Sequence, residues 1–341
     1  ATMTITPGTN LANLCETTIA PLKNNKRWVW SHGFDDNQYL VSAIDAFKAK
    51  SWPATLFLIA KDYRQDRQET HWIIDEPYVN SQILTTEGWA IGNHSWDHER
   101  FETENPTIED YQKDIRDSQE KLEASIDRSS NPDLRIISFA SPNFSDKYEQ
   151  PFADVSATTD LILLETGADF LITVNEDSSY SNDDLSASPF SGRNKIGRDA
   201  SIEWAPEVVI GIMDWMSANS SDYRRFWYNS LAHGSQEENI QTVLDHAWNN
   251  YGPGGTDELW VATSSEVYSY LITRDSASVS VQMTENDGSE PEIDLENPIY
   301  LPMITAMKNW ASQMVGDPAQ DQVQNLLLKV SGHGLQQIKD K

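Results

Sequence analysis

With 341 residues the chain can bury a substantial core, either as one large domain or as a domain with an appendage. Its formal net charge of -28 at pH 7 disfavours nucleic acid and anionic membranes as partners, because like charges repel. No apolar run is long enough to span a membrane, and the single cysteine, Cys15, excludes an internal disulfide.

Strand and helix patterns then alternate along most of the chain. Short runs of β-branched, aromatic and other apolar residues predict strands at 28–34, 54–60, 89–92, 135–140, 170–174, 226–232 and 258–262. Apolar stripes and capping boxes predict helices at 39–50, 107–126, 235–248 and 265–272. The Ser-, Asn-, Asp- and Gly-rich residues 175–201 predict a long surface loop, and the type of 208–212 stays open.

Strands that alternate with helices predict an α/β fold with a parallel sheet. Six or seven such units fit either a barrel or an open doubly wound sheet. Polar residues directly follow several predicted strands, and barrels place their active sites at these strand ends, so the barrel is favoured. After Arg274 the pattern becomes alternating and acidic. We therefore predict a catalytic barrel over 1–275 and a small β-rich C-terminal domain over 276–341.

Two pairs of residues at predicted strand ends have the chemistry of a metal site. His94 and His98 are four residues apart, so one turn of helix would bring both imidazoles to one face. Asp36 would complete a set of two nitrogens and one carboxylate, which leaves positions for water and substrate. Asp35 is then the candidate general base, and His233, after a later strand, the candidate general acid. Each pair alone is common in solvated turns, and only their shared placement at strand ends favours metal chemistry.

These segments resemble motifs of the polysaccharide deacetylase superfamily, carbohydrate esterase family 4. Gly33-Phe34-Asp35-Asp36-Asn37 is similar to the family's Thr-Phe-Asp-Asp-Gly motif. His94-Ser95-Trp96-Asp97-His98 matches its His-(Ser/Thr)-x-x-His motif in full, and Leu231-Ala232-His233 matches its Leu-x-His motif. The resemblance covers roughly residues 25–275, and the middle motif is the most specific of the three.

The resemblance implies a distorted (β/α)7 barrel. It also implies three ligands for a divalent metal ion, which we expect to be zinc: Asp36, His94 and His98. Asp35 would be the catalytic base and His233 the catalytic acid, and Leu231 would line the pocket for the acetyl group.

The family's arginine motif is incomplete in this chain. The corresponding segment is 140–144, so Ala140 stands where an arginine would orient the base. Arg193 and Arg198, both in the predicted surface loop, are candidates to replace it. A backbone N–H near Asn143 would assist in binding the acetyl oxygen.

Two further motifs also depart from the family pattern. The family has an Asp-Trp motif whose aspartate tunes the catalytic histidine, and its counterpart here stays open between Asp214-Trp215 and the spaced pair Asp199 and Trp204. Asn37 stands where the family has glycine. These departures bear on substrate and rate more than on metal binding.

The predicted function is that of a metal-dependent deacetylase, which hydrolyses amide or ester bonds to remove acetyl groups from a carbohydrate. N-acetyl groups of a chitin-like or other amino-sugar polymer or oligosaccharide are favoured over O-acetyl groups. Trp96 and Trp204 are candidate platforms for sugar rings. The alternatives are a same-fold hydrolase of a small cyclic amide and a catalytically inactive carbohydrate-binding protein, which the missing arginine favours. We expect a secreted or periplasmic protein; no signal peptide is visible in the sequence, so one has either been removed or was never present. The oligomeric state stays open.

Overall fold

The computed structural model describes residues 20–36, 41–61, 88–99, 101–126, 128, 134–167, 171–173, 194–200, 202–221, 224–233 and 236–276. Pro21–Ser276 forms one compact unit, and Ala1–Ala20 together with Ala277–Lys341 forms another. Apart from Ala20, the second unit lies outside the described residues. The division near residue 275 and the β-rich C-terminal domain therefore stay predictions.

The described residues contain ten short strands: β1 (Trp28–Phe34), β2 (Thr55–Leu58), β3 (Ala90–Asn93), β4 (Ser138–Ala140), β5 (Leu163–Thr166), β6 (Leu171–Thr173), β7 (Lys195–Gly197), β8 (Asp199–Ala200), β9 (Phe226–Ala232) and β10 (Leu259–Val261). Strands β1 to β5 lie side by side in chain order, β5 pairs with β7, and β8 pairs with β9, which returns to β1. These pairings are all parallel. Only Arg198 separates β7 from β8, so the two act as one strand and complete a nearly closed seven-stranded barrel. The predicted (β/α)7 barrel is confirmed.

In the part of the chain that the structure describes, six α-helices pack around this barrel: α1 (Val41–Ala49), α2 (Ile108–Ser125), α3 (Glu149–Ser156), α4 (Pro206–Asn219), α5 (Glu237–Asn250) and α6 (Ser264–Ser276). The capping box predicted before α2 is present, because Thr107 and Asp110 exchange hydrogen bonds between side chain and backbone. The segment 208–212, whose type the sequence leaves open, belongs to α4. None of the helices in the described ranges is long and apolar enough to cross a membrane.

The side chains of β1, β5, β9 and β10 alternate between two hydrophobic cores. On β1, Trp28 and Trp30 belong to the larger cluster, which the helices cover. Val29 belongs to a smaller cluster with Leu163 and Trp227, which come from β5 and β9. These three strands surround the barrel axis, so the smaller cluster fills the lower part of the barrel. The polar residues of the site lie above it, at the carboxyl ends of the strands.

Two predicted elements are wrong in their placement. The strand predicted at 170–174 is β6, which pairs antiparallel with β9 and lies outside the ring. The fifth barrel strand is instead Leu163–Thr166, whose central Glu165 interrupts the apolar pattern. Glu165 is fully buried because Asn229 and Ser264 bind its carboxylate across the barrel.

The predicted surface loop at 175–201 also ends inside the barrel, as β7 and β8. These strands are short and carry Lys195, Arg198 and Asp199, so the local pattern shows no run of apolar residues. The buried charge of Arg198 is stabilised there because its side chain forms an ion pair with Asp35, which follows β1.

Candidate metal centre and active site

All five predicted site residues meet at the carboxyl ends of the barrel strands. Asp35 and Asp36 follow β1, the two histidines follow β3, and His233 follows β9. Asp36 Oδ1 lies 3.2 Å from Nε2 of His94 and 3.2 Å from Nε2 of His98. On the other side of this carboxylate, Oδ2 lies 3.6 Å from Nε2 of His233. Asp35 Oδ2 lies 3.7 Å from Nε2 of His94. The folding of the chain therefore places both the candidate base and the candidate acid beside the candidate ligands.

The donor atoms of Asp36, His94 and His98 fit a divalent cation. One atom from each residue lies within 4.8 Å of the others. Asp36 Oδ1 is buried and accepts no hydrogen bond from the residues that the structure describes. His94 Nδ1 lies 2.9 Å from the carbonyl oxygen of Ala140 and donates to it, which leaves the lone pair of Nε2 for a metal. Two imidazole nitrogens and a carboxylate are typical ligands of zinc and related first-row ions.

The electrostatics of this group keep Asp36 negatively charged. Burial opposes its ionisation, but the neighbouring His94, His98 and His233 outweigh burial and lower the pKa of Asp36 below its usual range. For His94 the balance is the reverse, since burial opposes protonation but the carboxylates of Asp35 and Asp36 raise its pKa. The negative charge of these two carboxylates would also attract a divalent cation to this group.

The two ligand histidines lie on a tight turn and not on the helical turn that their spacing suggests. Residues 95–99 form a turn, with left-handed backbone at Ser95 and His98, where φ is 72° and 51°. Ser95 N–H donates to Asn93 Oδ1 at 2.8 Å, and His98 N–H donates to Ser95 Oγ at 2.9 Å. Trp96 N–H donates to Asp114 of α2 at 3.2 Å. Short polar side chains thus replace the hydrogen bonds of a helix.

The arginine that contacts the candidate base is Arg198. Its guanidinium donates two hydrogen bonds to the carboxylate of Asp35, at 3.0 and 2.7 Å. The two side chains are 1% and 5% exposed, so the ion pair is shielded from water. The candidate Arg193 lies outside the described residues. Arg198 therefore supplies, from another strand, the guanidinium that is missing at Ala140.

The ring of Phe57 supports this arginine from below. The guanidinium carbon lies 4.8 Å from the centre of the ring. Phe57 can occupy this place because its neighbours on β1 and β3 are Gly33 and Gly92. A Cβ atom on these glycines would lie only 2.8 and 2.2 Å from the ring.

The residue that tunes the candidate acid is Glu203, which the sequence interpretation missed. Glu203 Oε1 lies 2.7 Å from Nδ1 of His233 and also accepts the backbone N–H of His233 at 2.9 Å. Burial opposes protonation of His233, but its contacts with Glu203, Asp35 and Asp36 outweigh burial and raise its pKa. Nδ1 is thereby engaged, and Nε2 faces the ligand group.

Glu203-Trp204 therefore takes the place of the Asp-Trp motif. The ring of Trp204 stacks on His233, with centroids 5.2 Å apart, and is 62% exposed. Asp214 is instead bound to His246 and Tyr251, so the pairing of Asp214-Trp215 with the candidate acid His233 is wrong. An acidic residue directly before Trp204 was the available signal, because glutamate can replace aspartate as a partner of histidine.

Two further predicted residues border the same site. Leu231, two positions before His233 on β9, is 1% exposed and pairs in register with Gly33. Its side chain is therefore buried on the strand that delivers the candidate acid. Trp96, between the two histidines, is 37% exposed.

A known protein family matches the segment of the chain that carries the first four residues of this site. Residues 23–147 match the family model for polysaccharide deacetylase. This similarity extends over the first barrel strands and not over the whole chain. The matched segment includes Asp35, Asp36 and both ligand histidines, whereas Arg198, Glu203 and His233 lie beyond it. No curated protein sequence matches the chain.

Several solved structures resemble this chain at low sequence identity. A Mycobacterium smegmatis protein described as a polysaccharide deacetylase is 14% identical, with a TM-score of 0.46 over 79% of this chain and 99% of that one. A family 4 acetyl xylan esterase of Clostridium thermocellum, solved with a cobalt ion, is 15% identical, with a TM-score of 0.40 over 71% and 91%. A pseudoenzyme of the same family from Bacillus anthracis is 15% identical, with a TM-score of 0.40 over 77% and 72%.

Proposed function

We propose that this chain is a divalent-cation-dependent hydrolase that removes acetyl groups from a carbohydrate, preferentially from N-acetylated amino sugars in a polymer or oligosaccharide. One observation carries the proposal: the candidate base and the candidate acid flank the same ligand group, and each is fixed by its own buried partner. Arg198 binds Asp35 in this way, and Glu203 binds His233. A solvated turn has no such partners.

Asp36, His94 and His98 would hold the cation, for which we propose zinc. When bound, it would polarise the acetyl carbonyl and lower the pKa of a coordinated water. Asp35 accepts the proton of the attacking water, and the fork of Arg198 keeps its carboxylate oriented for that transfer. Backbone N–H groups near Asn143 would bind the acetyl oxygen as negative charge develops on it.

The candidate acid, His233, favours an amide over an ester as the substrate. An amine leaves from a tetrahedral intermediate only after it has been protonated, whereas an alcohol is a better leaving group. Burial opposes protonation of His233, but the neighbouring carboxylates raise its pKa and so favour the protonated form that a general acid needs. His233 Nε2 then gives this proton to the nitrogen of the departing amino sugar.

The surroundings of the site support a neutral sugar as the substrate. Trp204 and Trp96 expose aromatic surface beside His233 and the ligand histidines, and such surfaces pack against the apolar faces of sugar rings. The net charge of -28 disfavours a strongly anionic polymer. A secreted or periplasmic location would bring the protein to such polymers, and cell fractionation tests it.

An inactive carbohydrate-binding protein loses its main support, because Arg198 provides the guanidinium whose absence at Ala140 favoured that alternative. Nothing in the site favours a small cyclic amide over a glycan, so this substrate belongs among the outcomes of the experiment.

Metal analysis combined with acetate release tests the proposal. We expect stoichiometric zinc, and acetate release from chitin oligosaccharides that exceeds release from acetylated xylan. Asp35→Asn and His233→Ala should each slow release by about 100-fold or more. His246→Ala is the matched control, since His246 lies on α5 and binds Asp214, and it should release acetate at the wild-type rate. Bound zinc without acetate release from any glycan would refute the proposal and direct attention to cyclic amides.

A further inference from the structure

Strained backbone is concentrated around the candidate site. Left-handed φ values between 51° and 72° occur at six residues that border it: Asp36, Ser95, His98, Glu99, Asn143 and Phe144. Residues other than glycine adopt this conformation at a cost in free energy, and they keep it only where the surrounding contacts enforce it. The contacts that hold these residues are therefore expected to matter for the site.

Five of the six residues lie on two neighbouring loops. The ligand loop, residues 94–99, follows β3, and the β4 loop, residues 141–144, follows β4. Strands β3 and β4 pair in the sheet only where Asn93 faces Phe139. The sheet itself therefore gives little control over the separation of the two loops at their tips.

A side-chain hydrogen bond joins the loops at this point. Glu99 Oε2 accepts a hydrogen bond from Asn143 Nδ2 at 3.1 Å. Glu99 directly follows the candidate ligand His98, and Asn143 belongs to the β4 loop, where a nearby backbone N–H is proposed to bind the acetyl oxygen. The bond therefore connects the cation side of the site with the acetyl side.

Glu99 is itself held firmly in place. Its other oxygen, Oε1, accepts a hydrogen bond from Tyr111 of α2 at 3.3 Å and lies 3.7 Å from Lys147 Nζ. Tyr111 is 4% exposed and packs edge-on against Phe101 and Tyr148. Burial, together with Glu99, raises the pKa of Tyr111 to about 12, so its hydroxyl keeps the proton that it donates.

We infer that Glu99 is a positioning residue whose bond to Asn143 sets the separation of the ligand loop and the β4 loop. Through this bond it determines both how well His98 reaches the cation and where the β4 loop meets the acetyl group. The inference rests on the proposed function for its catalytic consequence and on the loop geometry for its effect on cation binding. Cation affinity and acetate release should therefore respond together when the bond is removed.

A double-mutant cycle tests this coupling. Glu99→Ala and Asn143→Ala should each weaken zinc binding and lower kcat/KM by about tenfold. The double variant should show no greater loss of zinc affinity or kcat/KM than either single variant, because all three lack the same bond. Glu99→Gln keeps an oxygen that can accept from Asn143 and should restore most of both quantities. Lys147→Ala is the matched control, since it removes only the exposed contact at 3.7 Å, and it should behave as wild type.

Zinc affinity is measured by competition with a chelator, acetate release by steady-state kinetics, and folding by thermal unfolding of the metal-free protein. Additive losses in the double variant, or a loss in Glu99→Ala without one in Asn143→Ala, would overturn the inference. If the wild-type protein releases no acetate, the double-mutant cycle measured by zinc affinity still tests the inference about Glu99. Failure of the proposed function and failure of the coupling are therefore separate results.

Discussion

The ion pair of Arg198 and Asp35 gives the most direct prediction, because its side chains are only 1% and 5% exposed. Two N–H groups bind two carboxylate oxygens at 3.0 and 2.7 Å. Removing one partner of a buried pair leaves the other charge without solvent or counter-ion and costs about 3–5 kcal/mol. Arg198→Met should therefore lower the free energy of unfolding by about 3–5 kcal/mol and the Tm by roughly 10 °C.

The same variant should also slow acetate release by about 100-fold, because Asp35 loses the fork that orients it towards the attacking water. Arg198→Lys keeps the charge but replaces the planar fork by a compact ammonium group. Its stability should fall less than that of Arg198→Met, while kcat/KM still falls several-fold. Urea or thermal unfolding measures the first quantity, and acetate release from an N-acetylated oligosaccharide measures the second.

Lys195→Met is the matched control for this experiment. Lys195 lies three residues before Arg198 and pairs with Glu149 near the surface, where the two side chains are 36% and 42% exposed. Loss of such a pair should change the stability by less than about 1 kcal/mol. An Arg198→Met protein that keeps the wild-type kcat/KM would refute the orienting role of Arg198, even if the protein is less stable. If its stability is also unchanged, the ion pair does not form in solution.

Three further changes test other parts of the site. The first is Glu203→Gln. His233 acts in its protonated form, which is lost as the pH rises through its pKa, and the contact with Glu203 raises that pKa. The variant should therefore move the alkaline limb of the pH profile of kcat/KM to lower pH. A limb that stays in place contradicts the pairing. Gly92→Ala brings a Cβ atom to 2.2 Å from the ring of Phe57. Thermal unfolding should therefore show that the free energy of unfolding falls by about 1–3 kcal/mol. Wild-type stability would mean that the ring moves aside freely. Chelation should lower the Tm of the wild-type protein, because a ligand of the folded state stabilises it, whereas Asp36→Asn should respond little. An equal response in both proteins would exclude Asp36 from the ligand set.

Much of the fold was predictable because its signals are local. The aromatic and β-branched residues of 28–34 predict a buried strand from their composition alone, and the run 54–60 does the same. The capping box of Thr107 and Asp110 marks the start of α2 within four residues of sequence. Each of these elements is specified by residues close together in the chain, and the structure forms them where the patterns predict.

The short polar strands were not predictable in the same way. Leu163–Thr166 contains Glu165, and β7 and β8 are separated by Arg198, so neither segment has the apolar continuity that marks a barrel strand. Their charges are stabilised by residues that are distant in sequence. Asn229 and Ser264 bind Glu165, and Asp35 binds Arg198.

By itself, the sequence determined the chemical types at the site: two histidines four apart, an aspartate pair and a later histidine, each at the end of a strand. Only the tertiary structure decided that Arg198 binds the candidate base and that Glu203 binds the candidate acid. It also replaced the expected helical turn at 94–98 by a tight turn that short polar side chains hold. The physical reason is distance along the chain. Asp35 and Arg198 are 163 residues apart, and only closure of the barrel brings them within hydrogen-bonding distance.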